Sequence, residues 1–239
     1  MAMSETRARY KRSVLGPFWL TLGAAIGVAG LGVVWSSLLH VPVREFVPSL
    51  AVGLLLWQLI SSTIVESCIT FIRQAQIIRN VRLPLLVHPF QLVTRQLITF
   101  AHNLVVLVIV FAIFPQQSLH LLPLSLLGMA LLVVNLLWMS TVLAMLGARF
   151  RDIEQIVTAV MPLIFFLTPV LYRTTHFAAT QVVVWLNPFT YLISVVRDPL
   201  MGAVPAVSVY VGAASITIVG VIFAMALFSS RRNRIPYWI

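Results

Sequence analysis

Few side chains in this sequence could do chemistry, and they lie far apart along the chain. Its 239 residues include six Asp or Glu, five His and one Cys. We find no nucleophile with a neighbouring base, no paired carboxylates, no metal-ligand spacing and no GxxxxGK[ST] phosphate loop. The sequence therefore predicts no catalytic, cofactor-binding or metal-binding site, and it indicates a protein that is not an enzyme.

Glu66 and Arg95 are the first charged pair that suggests a role. They lie near the facing ends of two consecutive apolar segments, at a similar depth. A lone charge in lipid costs about 3 kcal/mol on insertion scales, and a partner lowers that cost. We favour an ion pair that fastens the two segments over a charged gate lining.

A compact charged turn is the second candidate, because Arg149, Arg151, Asp152 and Glu154 fall within six residues. Arg151 and Glu154 are three apart and can pair on a helix. Asp152 and Glu154 also suit the N-terminus of the helix that follows.

Three deep polar residues, His102, Asn103 and Asn135, interrupt the apolar segments. They would either line a wet pore or form hydrogen bonds between helices. The sequence does not separate these alternatives. No carboxylates accompany His102, which disfavours a proton relay.

The elements that carry these residues must lie in a membrane. The chain is 60% hydrophobic and only 9% charged, with a mean hydropathy of +1.01, whereas soluble domains are about a quarter charged. Its net charge of +10 does not indicate nucleic acid, because the cations lie between apolar segments. Cys68 is the single cysteine, so no disulfide framework is expected.

The fold class predicted is an all-α polytopic membrane protein in one domain, 1–239. Roughly 20 apolar residues cross a bilayer, and six segments qualify: 18–40, 47–70, 91–113, 121–147, 156–172 and 205–228. Residues 71–90 form the longest of the connections that are predicted to be cytoplasmic. The segment 173–204 is broken by Asn-Pro and Asp-Pro, and we predict re-entrant helices there before the last span.

Arginine and lysine are divided unequally between the two faces that six spans create. Arg44, Arg173 and Arg197 would lie on one face, and Arg95 at a span entrance. The other face would hold Arg7, Arg9, Lys11, Arg12, Arg73, Arg79, Arg82, Arg149, Arg151, Arg231, Arg232 and Arg234. The positive-inside rule places this larger set, and both termini, in the cytoplasm.

The first 17 residues carry a dense basic cluster before the first span. An interfacial helix anchored by Arg7, Arg9, Tyr10, Lys11 and Arg12 is the interpretation we favour over a solvated basic leader. The apolar segment that follows is too long for a signal-peptide core, so we expect it to remain as the first span.

Four motifs in this order resemble the ABC-2 permease family, and most closely its branch that exports O-antigen, capsule or teichoic acid. They are RYKRSVLGPFW, GARFRDIEQIV with MPLIFFLTPVLY, WLNPFTYLISVVRDPLMG and the terminal RRNRIPYWI. The resemblance implies that the chain is one half of a channel in the cell inner membrane and that two copies, as a homodimer, form the pore. It also implies a separate ABC ATPase subunit that holds ATP and Mg²⁺, while this chain binds no cofactor.

The resemblance also implies that the charged turn with Arg151, Asp152 and Glu154 lies near the ATPase and the cytoplasmic gate. It further implies a coupling helix that docks on the ATPase. QAQIIRNVRLP fits this role, with Ile77, Ile78, Val81 and Leu83 on an apolar side and Arg79 and Arg82 on a polar side. A lipid-facing basic loop is the alternative.

Aromatic rings suit a pore that lets a sugar chain slide. The candidates are Phe165, Phe166, Tyr172, Trp185, Phe189 and Tyr191. An aromatic belt at the membrane interface is the alternative, and by count it is favoured for any one of these rings; Trp57 and Trp138 are assigned to it with other rings.

The function that follows is export of a lipid-linked polysaccharide as an ATP-driven transmembrane subunit, with membrane lipid as a further partner. The alternatives are an exporter of a drug or small lipid, a membrane-embedded transferase, and a non-transporting membrane scaffold.

Overall fold

The computed structural model describes residues 18–81, 83–115, 119–170 and 185–239. Every regular element among them is a helix, as the sequence predicts, and short 3₁₀ turns lie at Leu119–Leu121 and Arg232–Arg234. The α-helices are α1 Phe18–Leu39, α2 Val43–Ser67, α3 Thr70–Arg73, α4 Ala75–Asn80, α5 Val87–Ile113, α6 Leu122–Arg149, α7 Ile153–Leu167, α8 Pro188–Leu200, α9 Val207–Arg231 and α10 Ile235–Trp238.

In the part of the chain that the structure describes, five helices are long and apolar enough to cross a membrane, namely α1, α2, α5, α6 and α9. The chain is therefore a multi-pass membrane protein. The sixth predicted span corresponds to α7, which is apolar but has only 15 residues. At 1.5 Å per residue it is about 22 Å long, shorter than a hydrocarbon core of about 30 Å. The count of six spans stays a prediction.

The centre of the bundle is α2. Most of its side chains are buried, among them Leu50, Leu55 and Ile60, which are each at most 1% exposed. It packs against α1, α5, α6, α7 and α8. By contrast, α7 has a single buried residue, Met161. Apolar burial between helices therefore concentrates on α2, while α7 presents its apolar surface outward.

The short helix α8 is held inside the protein. Asn187 caps its N-terminus by accepting a hydrogen bond from the Phe189 N–H at 3.0 Å, and Pro188 provides a preset first turn. The Ser125 hydroxyl of α6 donates to the carbonyl of Val196 at 2.8 Å. A short helix of this kind suits membrane depth because protein surrounds it. Its re-entrant course stays a prediction, and 173–184 lie outside the described residues.

One end of the bundle collects the exits of several helices. A small apolar cluster joins Phe71 of α3, Ala144 and Ala148 of α6, and Ile235 and Ile239 of the C-terminal segment. Arginines at this end, all exposed, are Arg73, Arg79, Arg149, Arg151, Arg231, Arg232 and Arg234. We call this the basic end. Arg44 lies at the start of α2, on the far side of the bundle.

Candidate functional site

Glu66 and Arg95 form an ion pair at the basic end, which is the contact that the sequence predicts. Glu66 is the last residue but one of α2, and Arg95 lies in the third turn of α5. Arg73 of α3 approaches the same carboxylate at 3.9 Å. The side chains of Glu66 and Arg95 are 20% and 22% exposed. The pair fastens α2 to α5, and a gating role stays a prediction.

A polar seam continues from this pair along the α2–α5 contact. The Ser62 hydroxyl donates to the Gln96 side-chain oxygen at 3.1 Å. Further along, the Asn103 amide donates to the Gln58 side-chain oxygen at 3.3 Å, and the Thr21 hydroxyl of α1 donates to Asn103 at 3.2 Å. Hydrogen bonds thus connect three apolar helices where lipid would offer none.

The deep polar residues are engaged in contacts within the protein. Asn103 is 2% exposed and Asn135 is fully buried. The Asn135 amide of α6 donates to the Thr217 hydroxyl of α9 at 2.7 Å, and the Trp138 indole donates to the Asn135 oxygen at 2.9 Å. His102, which is half-buried, lies 2.7 Å from the carbonyl of Ile98 through its Nδ1. For both asparagines the geometry matches the alternative of hydrogen bonds between helices.

The predicted coupling segment forms a shorter helix than the sequence suggested. The helix α4 ends at Asn80, and Val81 is already extended. Ile78 packs against the small cluster at the basic end and Ile77 is half-buried, whereas Val81 is 48% exposed. A single apolar face over all four predicted residues is therefore wrong, because the backbone leaves the helix after Asn80. Arg82 lies outside the described residues.

The C-terminal segment packs directly against this coupling segment, a contact that the sequence analysis missed. Ile235 is fully buried and Ile239 is 8% exposed in the cluster around Phe71. The Arg79 guanidinium donates to the main-chain oxygen of Ile239. The Arg149 guanidinium lies 5.6 Å above the Trp238 ring. The sequence IPYWI at positions 235–239 is mainly apolar, and this pattern indicates a segment that packs against an apolar partner.

The charged turn between α6 and α7 does not form the pair that the sequence suggested. Arg151 lies in the turn that precedes α7, outside the helix, so the helical spacing of three does not apply to it. No ion pair between Arg151 and Glu154 is present among the described residues. Asp152 occupies the N-cap position and Glu154 the first turn of α7, where a negative charge suits the helix N-terminus.

An aromatic cluster lies at the middle of α2. Trp57 contacts Phe165 with ring centroids 5.6 Å apart and Phe189 edge-on at 5.9 Å. Trp57 is 8% exposed, so its assignment to an interfacial belt is wrong, as its position halfway along α2 also indicates. Trp138 likewise lies halfway along α6 and packs on Gly220.

The other pore candidates differ in exposure. Phe166 is 62% exposed and contacts Phe165 at 5.3 Å. Trp185 and Tyr191 are half-buried, with ring centroids 5.2 Å apart. Tyr172, and the predicted anchor residues Arg7, Arg9, Tyr10, Lys11 and Arg12, lie outside the described residues.

Comparison with known proteins points to one family of membrane transporters. The family model described as ABC-2 type transporter matches residues 1–201. An O-antigen export system permease protein RfbA from Myxococcus xanthus is 26% identical over 244 residues, which cover 98% of this chain and 91% of that protein.

Two proteins of the same name from Klebsiella pneumoniae are also 26% identical. One match covers 96% of this chain and 90% of the relative, and the other covers 82% and 77%. A family match over more than three quarters of the sequence, on a bundle of apolar helices, identifies the protein as a transport permease. The chain belongs to the ABC-2 type transporter family.

Proposed function

We propose that the chain is the transmembrane subunit of an ATP-driven exporter of a lipid-linked, O-antigen-like polysaccharide. The observation that carries this proposal is that the three relatives are all named O-antigen export permeases and match 82% to 98% of this chain. Two copies would form the pore, in the cell inner membrane, with both termini in the cytoplasm. The gathering of arginines at the basic end supports this orientation.

The partner that we propose is an ABC ATPase subunit that binds ATP and Mg²⁺. It would dock on the basic end, where Val81 and Leu83 expose apolar surface beside α4. Closure of the ATPase would move α4. Because Phe71 and Ile78 pack into the cluster that also holds α6 and the C-terminal segment, this movement would reach the membrane helices as a unit. The two halves would part and admit the lipid and the first sugars.

The pore wall is a separate part of the proposal. Phe166 and other exposed apolar residues of α7, such as Leu163, form an apolar surface that is largely uncovered within one chain. Flat rings offer contact to the apolar faces of sugars without deep pockets. We propose that Phe165, Phe166, Trp185 and Tyr191 line the route of the glycan, and that the Glu66–Arg95 pair lies near its entrance.

The test is reconstitution of the purified chain with its ATPase in liposomes. ATP hydrolysis should rise with lipid-linked glycan, and glycan should become accessible on the far leaflet. Lipid carrier without glycan and a small hydrophobic drug are the matched comparisons. Stimulation by the drug alone would favour the drug exporter. Failure to co-purify with any ATPase would favour the scaffold and would overturn the proposal.

A further inference from the structure

A small polar pocket lies at the basic end between α2, α3 and α5. Its walls include Glu66, Thr70, Arg73, His88, Gln91 and Arg95, and its volume is about 30 Å³. One water needs about 10–15 Å³ by the same kind of measure. The pocket therefore admits about two oxygen-sized atoms, while the remainder of any larger ligand would stay at its mouth. A sugar ring does not fit inside.

His88 is the residue in this pocket whose chemistry is unused. It is 3% exposed, and neither ring nitrogen has a hydrogen-bond partner among the described residues. Its ring meets Phe71 edge-on with centroids 6.2 Å apart, a contact that supplies no oxygen or nitrogen partner to either ring nitrogen. A buried polar group without a partner is energetically unfavourable. An imidazole held in this way on a pocket wall indicates a ligand that supplies oxygen acceptors.

The charges around the pocket select an anion. Two guanidinium groups, of Arg73 and Arg95, share one carboxylate, that of Glu66. Arg95 is bound closely to Glu66, whereas Arg73 is 3.9 Å from it and its side chain is 53% exposed. Arg73 can therefore turn toward a ligand without breaking the tighter pair. Guanidinium groups bind phosphate oxygens particularly well because their planar N–H donors match the anion.

The position of the pocket points to the same chemistry. Glu66 is the last residue but one of α2 and His88 is the second residue of α5, and both helices are long and apolar enough to cross a bilayer. The pocket thus lies where two candidate spans end, and lipid headgroups are expected at the ends of spans. We propose that it binds one phosphate group, with His88 and Arg73 as donors. This assignment does not depend on the cargo proposed above.

The test is binding by the full-length purified chain in a phosphate-free detergent, measured by native mass spectrometry. The probes are inorganic phosphate, phosphatidylglycerol and a polyprenyl phosphate, each lipid compared with its phosphate-free counterpart, diacylglycerol or polyprenol. Phosphate-bearing probes should bind at least about tenfold more tightly, since the charge-assisted hydrogen bonds to the phosphate are lost in its absence. Preference among the three then identifies a free ion, a headgroup or a lipid carrier as the source.

Arg73→Gln is the principal variant, because Arg73 is exposed enough to be replaced without unfolding the chain. It should weaken binding of the preferred phosphate probe about tenfold, whereas Arg232→Gln, an exposed arginine elsewhere at the basic end, should not. His88→Phe should weaken binding similarly. If that variant does not fold, ¹⁵N signals of His88 in the unaltered protein should shift on addition of the probe. Equal affinity for phosphate-free lipids, equal effects of the two arginine variants, or unshifted His88 signals would overturn the proposal.

Discussion

The carbonyl oxygen of Cys68 lies directly against the backbone of Gly147, so close that a Cβ at position 147 would collide with it. Only glycine allows this approach, which brings the α2–α3 junction onto the last turn of α6. The contact therefore joins two parts of the basic end. One is the α2–α3 junction, which leads to the coupling segment, and the other is α6, which also supports the C-terminal segment.

Gly147→Ala should therefore destabilise the protein by about 3 kcal/mol, because backbone rather than a flexible side chain must move. Thermal unfolding in detergent measures the effect. The matched control is Gly30→Ala on α1, where a Cβ meets nothing within 4 Å and stability should hold or rise. Equal melting temperatures for both variants would contradict the close approach.

Glu66→Gln should destabilise the α2–α5 contact by about 1–3 kcal/mol, because the Arg95 guanidinium loses its carboxylate in a largely enclosed site. The exchanged double variant Glu66→Arg with Arg95→Glu should recover part of that loss. Thermal unfolding again provides the measurement. A stable Glu66→Gln variant with altered transport would instead favour the gate over the structural pair.

Cys68 should react slowly with alkylating reagents. Burial raises the pKa of its thiol to about 11, with Glu154 adding to the shift. At about pH 8, a pKa of about 11 leaves roughly one Cys68 thiol in a thousand as the reactive thiolate. An ordinary thiol, by contrast, has a pKa of about 8.5. The alkylation rate should still be rising between about pH 9 and pH 11. A cysteine placed at the exposed Ser229 should already level off near pH 9, and identical profiles would contradict the prediction.

The sequence was sufficient where a residue type alone decides the outcome. Apolar length located the helices, and the cost of a lone charge in lipid was enough to join Glu66 to Arg95. It failed where the partner is remote in the chain. Nothing near Trp57 says that Phe165 and Phe189 will surround it, so a general preference of tryptophan for interfaces was misleading.

The sequence pattern also could not predict where the backbone leaves a helix. The apolar spacing from Ile77 to Leu83 is compatible with a continuous helix, yet α4 ends at Asn80. Docking of Ile78 onto Phe71 and the C-terminal segment holds that end in place. The close approach at Gly147 depends in the same way on a residue 79 positions earlier, which no local pattern reports.

Trp57→Ala should cost about 3–5 kcal/mol, since a large buried ring is removed from between two others. Trp57→Phe keeps an aromatic surface and should cost less than half of that. The unfolding temperatures of the two variants provide the comparison, and Trp19→Ala, at a position that is 56% exposed on α1, serves as the control. A small loss for Trp57→Ala would place this ring outside the core.

Reversal of Arg79 and Arg82 to Glu should uncouple ATP hydrolysis from export while the protein still inserts. The proposed ATPase contact lies on this segment, and Arg79 also binds the Ile239 main-chain oxygen. Export of lipid-linked glycan should fall at least about tenfold, and hydrolysis should no longer respond to glycan. The same reversal at Arg231 and Arg232, which lie exposed at the basic end, should leave coupling intact.

A second variant separates the two roles of Arg79. Ile235→Ser leaves the arginines in place but puts a hydroxyl into the apolar cluster around Phe71. If α4 transmits movement only while the C-terminal segment supports it, this variant should bind the ATPase normally and still lose export, because the helix would move without carrying α6. Normal export by Ile235→Ser, together with loss in the arginine variant, would assign Arg79 to the ATPase contact alone. Unchanged export in both would remove the coupling assignment from this segment.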